Sequence, residues 1–259
     1  MPVVTSRHHP IVKAFRDVTR GGGPLLLLDG WHLVAEAAAC GLALDTIALH
    51  GTPTPEHQRL LERVQAPHTR TIDVSTSVMS ALSPVKSPTG IVGAARRPVV
   101  DARTVLQPSP ALILAAAGIQ DPGNVGAVVR SAAAAGATGV VLDSASADPW
   151  GWKALRASMG SAFHLPVVRG EDLDASIAGW RAAGVSIVAA VPRGGVSMYD
   201  VDLSRPVAIL LGGEGAGLPD AFVSEADTRV SIPMRGDVES LNVAVAAALL
   251  LYETQRQRT

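Results

Sequence analysis

Residues able to do chemistry gather at three places in this chain, and each is a polar turn between an apolar strand and a helix. The first is Asp121-Pro122-Gly123-Asn124-Val125-Gly126, with Arg130 further along. The second is Gly212-Gly213-Glu214-Gly215-Ala216-Gly217, directly after an apolar run. The third runs from Ile232-Pro233 through a polar loop to Ser240, Leu241 and Asn242. Glycines after a buried strand let the backbone approach a ligand closely, although a tight turn with no ligand would use them too. The spacing fits neither a Gly-x-Gly-x-x-Gly dinucleotide loop nor a P-loop, which needs Gly-Lys-Ser/Thr. Arg130 lies in an Ala- and Val-rich helix, so it needs either a partner or a cavity, or else snorkels from the helix end to water. Ser240 and Asn242 stand at a helix start, where an N-cap competes with any chemical role. Asn is a poor helix former, so a cap explains Ser240 better than an Asn242 inside the helix.

The elements that must position these groups alternate regularly. From residue 111 onward the pattern predicts strands at 112–116, 139–142, 165–168, 185–190, 207–211 and 229–232. The helices expected between and after them span 125–135, 152–159, 175–183 and 241–256. Such alternation argues for a parallel sheet covered on both faces. Upstream, residues 5–20 read as a basic helix with Lys13, Arg16 and Arg20 on one side and Val12 and Phe15 on the other. Gly21-Gly22-Gly23-Pro24 ends it. Strands at 25–28, 46–49, 71–74 and near 90–95 then alternate with helices, a compact α/β unit of about 75 residues. Residues 96–110, with three prolines and three arginines, read as the linker. The last helix is apolar all round from Val243 to Leu251, so it must be buried on more than one side; one side packs on its own sheet, and the other suits a subunit interface.

Composition sets bounds on what these elements can do. The chain has 259 residues, 47% of them hydrophobic and only 3% aromatic, enough for one large or two moderate domains with closely packed Ala-rich helices. No apolar run approaches the ~20 residues of a membrane span. The N-terminus, Met1-Pro2-Val3-Val4, lacks the pattern of a secretory signal, which makes the cytoplasm the expected location. Cys40 is the only cysteine, which rules out a disulfide framework and multi-cysteine metal sites. The seven histidines show no metal-site spacing, and His8-His9 is expected to face solvent or RNA. Net charge is −1, so global electrostatics do not announce a nucleic-acid binder. The charge is unevenly spread, however. Residues 1–108 hold 11 Lys and Arg against 8 Asp and Glu, and the remainder 11 against 15. That asymmetry permits RNA contact through the first half and fits ordinary surface variation equally well.

In order and spacing, the three junctions resemble the motifs of the SpoU (TrmH-like) family of S-adenosylmethionine-dependent RNA ribose 2'-O-methyltransferases, in the knotted SPOUT class. Two N-terminal stretches, residues 28–37 and 87–93, resemble the L30e-like substrate-binding domain that precedes the catalytic domain in many members. Asp29 stands where members commonly have Glu. The resemblance implies an L30e-like α/β domain over 1–97, a linker over 98–108, and a parallel-sheet methyltransferase domain with a deep trefoil knot over 109–259. It implies S-adenosylmethionine as cofactor, bound by backbone around Ala190, Gly212, Gly213, Gly217, Ile232 and Leu241. The segment around Ala190 lacks the Thr common there.

The resemblance also assigns residue roles. Arg130 completes Asn-x-Gly-x-x-x-Arg and corresponds to the arginine that activates the 2'-hydroxyl. A guanidinium is almost never neutral at pH 7, so the expected role is to grip the adjacent phosphate and stabilise the forming alkoxide. Asn124 and Glu214 would orient Arg130 or the ribose, with Ser240 and Asn242 completing the catalytic set. RNA contact is expected from Lys13, Arg16, Arg20 and Arg156, with Ser158 also facing the active site or RNA. No metal is expected, and the last helix is expected to form a homodimer. The rival readings are a noncatalytic RNA-binding protein that kept the fold and a nucleotide-dependent oxidoreductase using the glycine loop.

Overall fold

The computed structural model describes residues 3–64 and 68–259. Met1 and Pro2, which head the N-terminal reading, lie outside the described residues. The chain divides into two compact units: residues 1–99 with 150–163, and residues 100–149 with 164–259.

In chain order the first unit begins α1 (Pro10–Arg20), β1 (Leu25–Asp29), α2 (Trp31–Ala39), β2 (Leu44–Leu49), α3 (Pro55–Val64), β3 (Arg70–Asp73), α4 (Thr76–Leu82) and β4 (Ile91–Arg96). Its sheet runs β1-β4-β2-β3, with β4 antiparallel to both neighbours and β2 parallel to β3. The basic helix is shorter than the expected 5–20. Pro10, which needs no hydrogen-bonded N–H, occupies its first turn, and the His9 ring nitrogen accepts from Ile11 N at 3.3 Å. His9 is therefore a half-buried helix cap, and Val4 pairs instead with Val74. Ile11, Val12 and Phe15 enter the core, leaving Lys13, Arg16 and Arg20 exposed.

The chain continues with β5 (Leu112–Ala117), α5 (Pro122–Ala134), β6 (Gly139–Leu142), α6 (Trp152–Ser158), β7 (Val167–Arg169), α7 (Leu173–Ala182), β8 (Ser186–Ala190), β9 (Val196–Ser197), β10 (Val207–Gly212), α8 (Asp220–Glu225), β11 (Thr228–Ser231) and α9 (Val243–Arg258). The seven-stranded sheet is parallel throughout, in the order β7-β6-β5-β10-β8-β11-β9. β5 is buried along its whole length and β10 up to its last residue, as strands covered on both faces must be.

Three local features differ from the sequence-based expectation. The stretch expected as linker is partly folded onto the second unit: residues Ala102–Leu106 form a 3-10 turn capped by Asp101, and Val105 is fully buried there. Two short elements carry no periodicity to be read, since β9 has two residues and α8 buries none of its six. Finally, residues 150–163 pack with the first unit. Trp152 joins its core, His32 Nε2 meets the Met159 carbonyl oxygen at 3.0 Å, and Gly160 (φ +79°) sits where a Cβ would come within 2.8 Å of the Glu36 side chain.

Candidate functional site

Three neighbouring parallel strands, β10, β8 and β11, point their carboxyl ends at one edge of the second unit's sheet, the edge where parallel α/β sheets build their sites. The loops leaving those ends, together with the start of α9, enclose a cavity of ≈ 530 Å³, within the range of small-molecule sites. Ala190, Gly212, Gly213, Gly217, Ile232 and Leu241 all line it, and so do Glu214, Ser240 and Asn242. Sequence reasoning missed Pro192, Met234 and Glu239 on the wall. They come from irregular loop with no periodicity, and only the loop's return past the sheet edge brings them in.

The glycines are required by the fold of this loop. A Cβ on Gly212 would lie 1.9 Å from the Gly217 carbonyl carbon, and one on Gly213 would lie 1.9 Å from the Gly118 oxygen. The loop doubles back so that Gly213 and Gly217 pair as an antiparallel bridge, while Gly213 N donates to the Ala117 oxygen at 2.7 Å. Gly215 and Gly217 have φ of +88° and +71°, where side chains are strained. Backbone rather than side chain therefore forms this wall.

One polar chain joins all three junctions. Asn242 is the N-cap of α9: its Oδ1 accepts from Ala244 N at 2.9 Å and Val245 N at 3.3 Å. This corrects the expected helix start at Leu241 and the expected roles, because Asn242, not Ser240, is the cap. Capping also fixes which way the other half of the Asn242 amide bonds. With Oδ1 committed to the helix, Asn242 Nδ2 must donate, and it does so to Asn124 Oδ1 at 3.1 Å. Asn124 Nδ2 in turn donates to Glu214 Oε1. Asn124 is itself placed by the α5 cap, where Asp121 Oδ1 accepts from its N–H at 3.0 Å. The pairs span 118 and 90 residues of sequence.

Arg130 is not in this cavity. It lies about 9 Å further along α5, exposed, and makes no hydrogen bond or ion pair among the described residues. Its exposure fits an arginine that reaches solvent from the helix end and leaves its guanidinium open to an external anion. Lys13 and Arg16 likewise lie exposed and unpaired among the described residues, whereas Arg20 Nη1 meets Asp17 Oδ1 at 3.2 Å on the surface. Arg156 is exposed on α6, in the first unit. Burial there pushes the Asp29 carboxyl above its usual value, against the opposing pull of the Ser83 hydroxyl, bonded at 2.6 Å, and the Arg156 charge. Ser158 does not face solvent: it is buried, and its hydroxyl donates to the Leu155 oxygen at 2.9 Å. No cluster of three metal-ligating side chains occurs among the described residues.

The family described as the SpoU rRNA Methylase family matches residues 111–252, more than half of the chain. The chain belongs to that family. An uncharacterized tRNA/rRNA methyltransferase of Synechocystis is 32% identical over 98% of this chain and 94% of its own length. The 23S rRNA (guanosine(2553)-2'-O)-methyltransferase RlmP of Bacillus subtilis is 33% identical over 87% of this chain and 86% of its own. Among solved structures, an AdoMet-bound rRNA methyltransferase from Sinorhizobium meliloti superposes with a TM-score of 0.89 at 32% identity, covering 100% of this chain and 98% of that one. In this SpoU family member the matched region contains the whole polar chain and every residue lining the cavity.

Proposed function

We propose that this protein transfers a methyl group from S-adenosylmethionine to a ribose 2'-hydroxyl of structured RNA, ribosomal or transfer. The observation that carries the reading is the junction of a side-chain-free glycine wall with the Asn242–Asn124–Glu214 chain, in a member of the SpoU family. The cavity fits the cofactor. Its volume suits a nucleoside-sized ligand, Gly212 and Gly213 leave backbone where a Cβ would stand, and Ile232, Leu241 and Val230 offer apolar surface to an adenine. When bound, S-adenosylmethionine supplies a methyl group on a positively charged sulfur.

The chain's own residues do the rest. Ala190, Gly212, Gly213, Gly217, Ile232 and Leu241 hold the cofactor through backbone. Asn124 and Asn242 fix the Glu214 carboxylate at the cavity mouth, where it and Ser240 orient the ribose. As the oxygen–carbon bond forms, the 2'-oxygen gives up its proton, and Arg130 grips the neighbouring phosphate and stabilises the developing negative charge. Lys13, Arg16, Arg20 and Arg156 contact phosphates, with residues 1–99 and 150–163 acting as the substrate domain and residues 100–149 and 164–259 as the methyltransferase domain, in place of the boundaries expected from the sequence.

Three further assignments follow from family membership. The insertion of β10 between β5 and β8, and of β11 between β8 and β9, suits a trefoil knot in the second unit. α9 packs on α5 and leaves Val245, Leu249 and Tyr252 exposed at 48%, 40% and 51%, an apolar stripe suited to a second copy of this chain. As an RNA-modifying enzyme the protein works in the cytoplasm; among the described residues no helix is long and apolar enough to cross a membrane.

The deciding experiment combines titration calorimetry with S-adenosylmethionine and NAD and a radiolabelled methyl-transfer assay on RNA from cells lacking the gene, mapped by alkali-resistant linkages. The reading expects cofactor binding, no NAD binding and alkali-resistant product. Binding of RNA and cofactor without transfer would establish a noncatalytic RNA-binding protein, and binding of NAD alone an oxidoreductase.

A further inference from the structure

The side chains lining the cavity include two that are charged, Glu214 and Glu239, and both are acidic; among the described residues no Lys, Arg or His lines it. Glu214 has one oxygen committed to Asn124. Glu239 makes no hydrogen bond or ion pair among the described residues, and it stands on the loop between β11 and α9, just before Ser240. The lining itself therefore presents negative charge to a ligand; the nearby cation Arg193, which follows the lining Pro192, donates to the Val238 oxygen at 3.2 Å and does not line the cavity. Such a lining discriminates between ligands of equal shape and unequal charge.

The two forms of the cofactor differ in that way. S-adenosylmethionine carries a sulfonium, an ammonium and a carboxylate, a net charge of +1. After the methyl group leaves, sulfur keeps the electron pair of the broken bond and becomes a neutral thioether, so S-adenosylhomocysteine has a net charge of zero.

We infer that Glu239 is a specificity-determining residue that makes the cavity favour the sulfonium cofactor over its thioether product. The inference rests on reading the cavity as the cofactor site. Transfer of the methyl group then removes the charge that Glu239 attracts, so chemistry itself weakens the hold on the product. Glu239 is exposed, so its effect is that of a unit charge near contact in a solvent-rich site, about fivefold in relative affinity. It is also screened by salt, with a Debye length of about 10 Å at 0.1 M shrinking to about 3 Å at 1 M.

The test is calorimetric titration of the full chain with S-adenosylmethionine, S-adenosylhomocysteine, adenosine and sinefungin, whose protonated amine replaces the sulfonium by another cation. Wild type should prefer both cationic ligands to S-adenosylhomocysteine. Glu239→Gln should cut that preference about fivefold by weakening the cationic ligands, leaving adenosine and S-adenosylhomocysteine affinities unchanged. Glu239→Lys should shift the ratio further in the same direction, and raising the salt should narrow the wild-type preference. An unchanged ratio in both variants, or equal loss for charged and neutral ligands, overturns the inference while leaving the cofactor site standing. Failure of wild type to bind any adenosyl ligand overturns the cofactor reading and this inference with it.

Discussion

Asn242 does two jobs that substitutions can separate. Its Oδ1 caps α9 through Ala244 and Val245, and its Nδ2 holds Asn124 in the orientation that reaches Glu214. Asn242→Ala removes both. Loss of the cap costs about 1 kcal/mol, which in a chain of this size lowers Tm by about 2–4 °C. Asn242→Asp keeps a side-chain oxygen over the helix N-terminus, where a negative charge is favoured, so its Tm should match wild type within about 1 °C. It nevertheless sets an acceptor against Asn124 Oδ1. If the Asn124 amide turns to compensate, its donor leaves Glu214. Either way one polar group loses its partner; the bonds are exposed, so water replaces it in the free chain, and the cost of about 1–3 kcal/mol, or roughly 5- to 150-fold in turnover, falls only where bound substrate excludes that water. Thermal unfolding and single-turnover methyl transfer, measured on both variants, separate the two roles. The expected pattern is a Tm drop for Ala alone and a rate loss for both. Wild-type turnover in Asn242→Asp would refute the reasoning and leave Asn242 as a helix cap only.

Gly212→Ala must push the loop away from the Gly217 carbonyl carbon, 1.9 Å from the new methyl, and should weaken S-adenosylmethionine binding by at least about tenfold by calorimetry. Gly215→Ala, whose new carbon meets nothing within 4 Å, should lose far less despite its positive φ. Arg130→Ala should abolish most single-turnover methylation while leaving cofactor affinity within about twofold, since Arg130 stands outside the cavity; Arg130→Lys should fail too, because it lacks the bidentate fork. Neutralising Lys13, Arg16 and Arg20 together should weaken RNA binding and flatten its log-log salt dependence by ~0.7 to 0.9 per lost phosphate contact. Because Arg20 is partly occupied by Asp17, the change should fall short of three contacts, and an unaltered slope would show the α1 face to be merely solvated.

What this sequence determines by itself is local. The cap and proline at Asp121-Pro122, the apolar runs of β5 and β10, and the glycines after β10 dictate their own elements, because capping, burial on both faces and positive φ each act within a few residues. The candidate cavity was legible for the same reason: its glycines and its polar groups stand at strand ends, and the family resemblance supplied their order. Tertiary structure decided which ends meet. Strand order sets β10 between β5 and β8, which brings Asn124, Glu214 and Asn242 into one hydrogen-bonded chain and assigns each amide its direction. It also decided matters that no periodicity encodes. α6 packs with the first unit because Trp152 finds its apolar surroundings there, Val105 draws half the expected linker into the second core, and Glu239 reaches the cavity from a loop with no pattern of its own. Such contacts join residues far apart in sequence, and their energy comes from burial and pairing that exist only once the sheet has assembled.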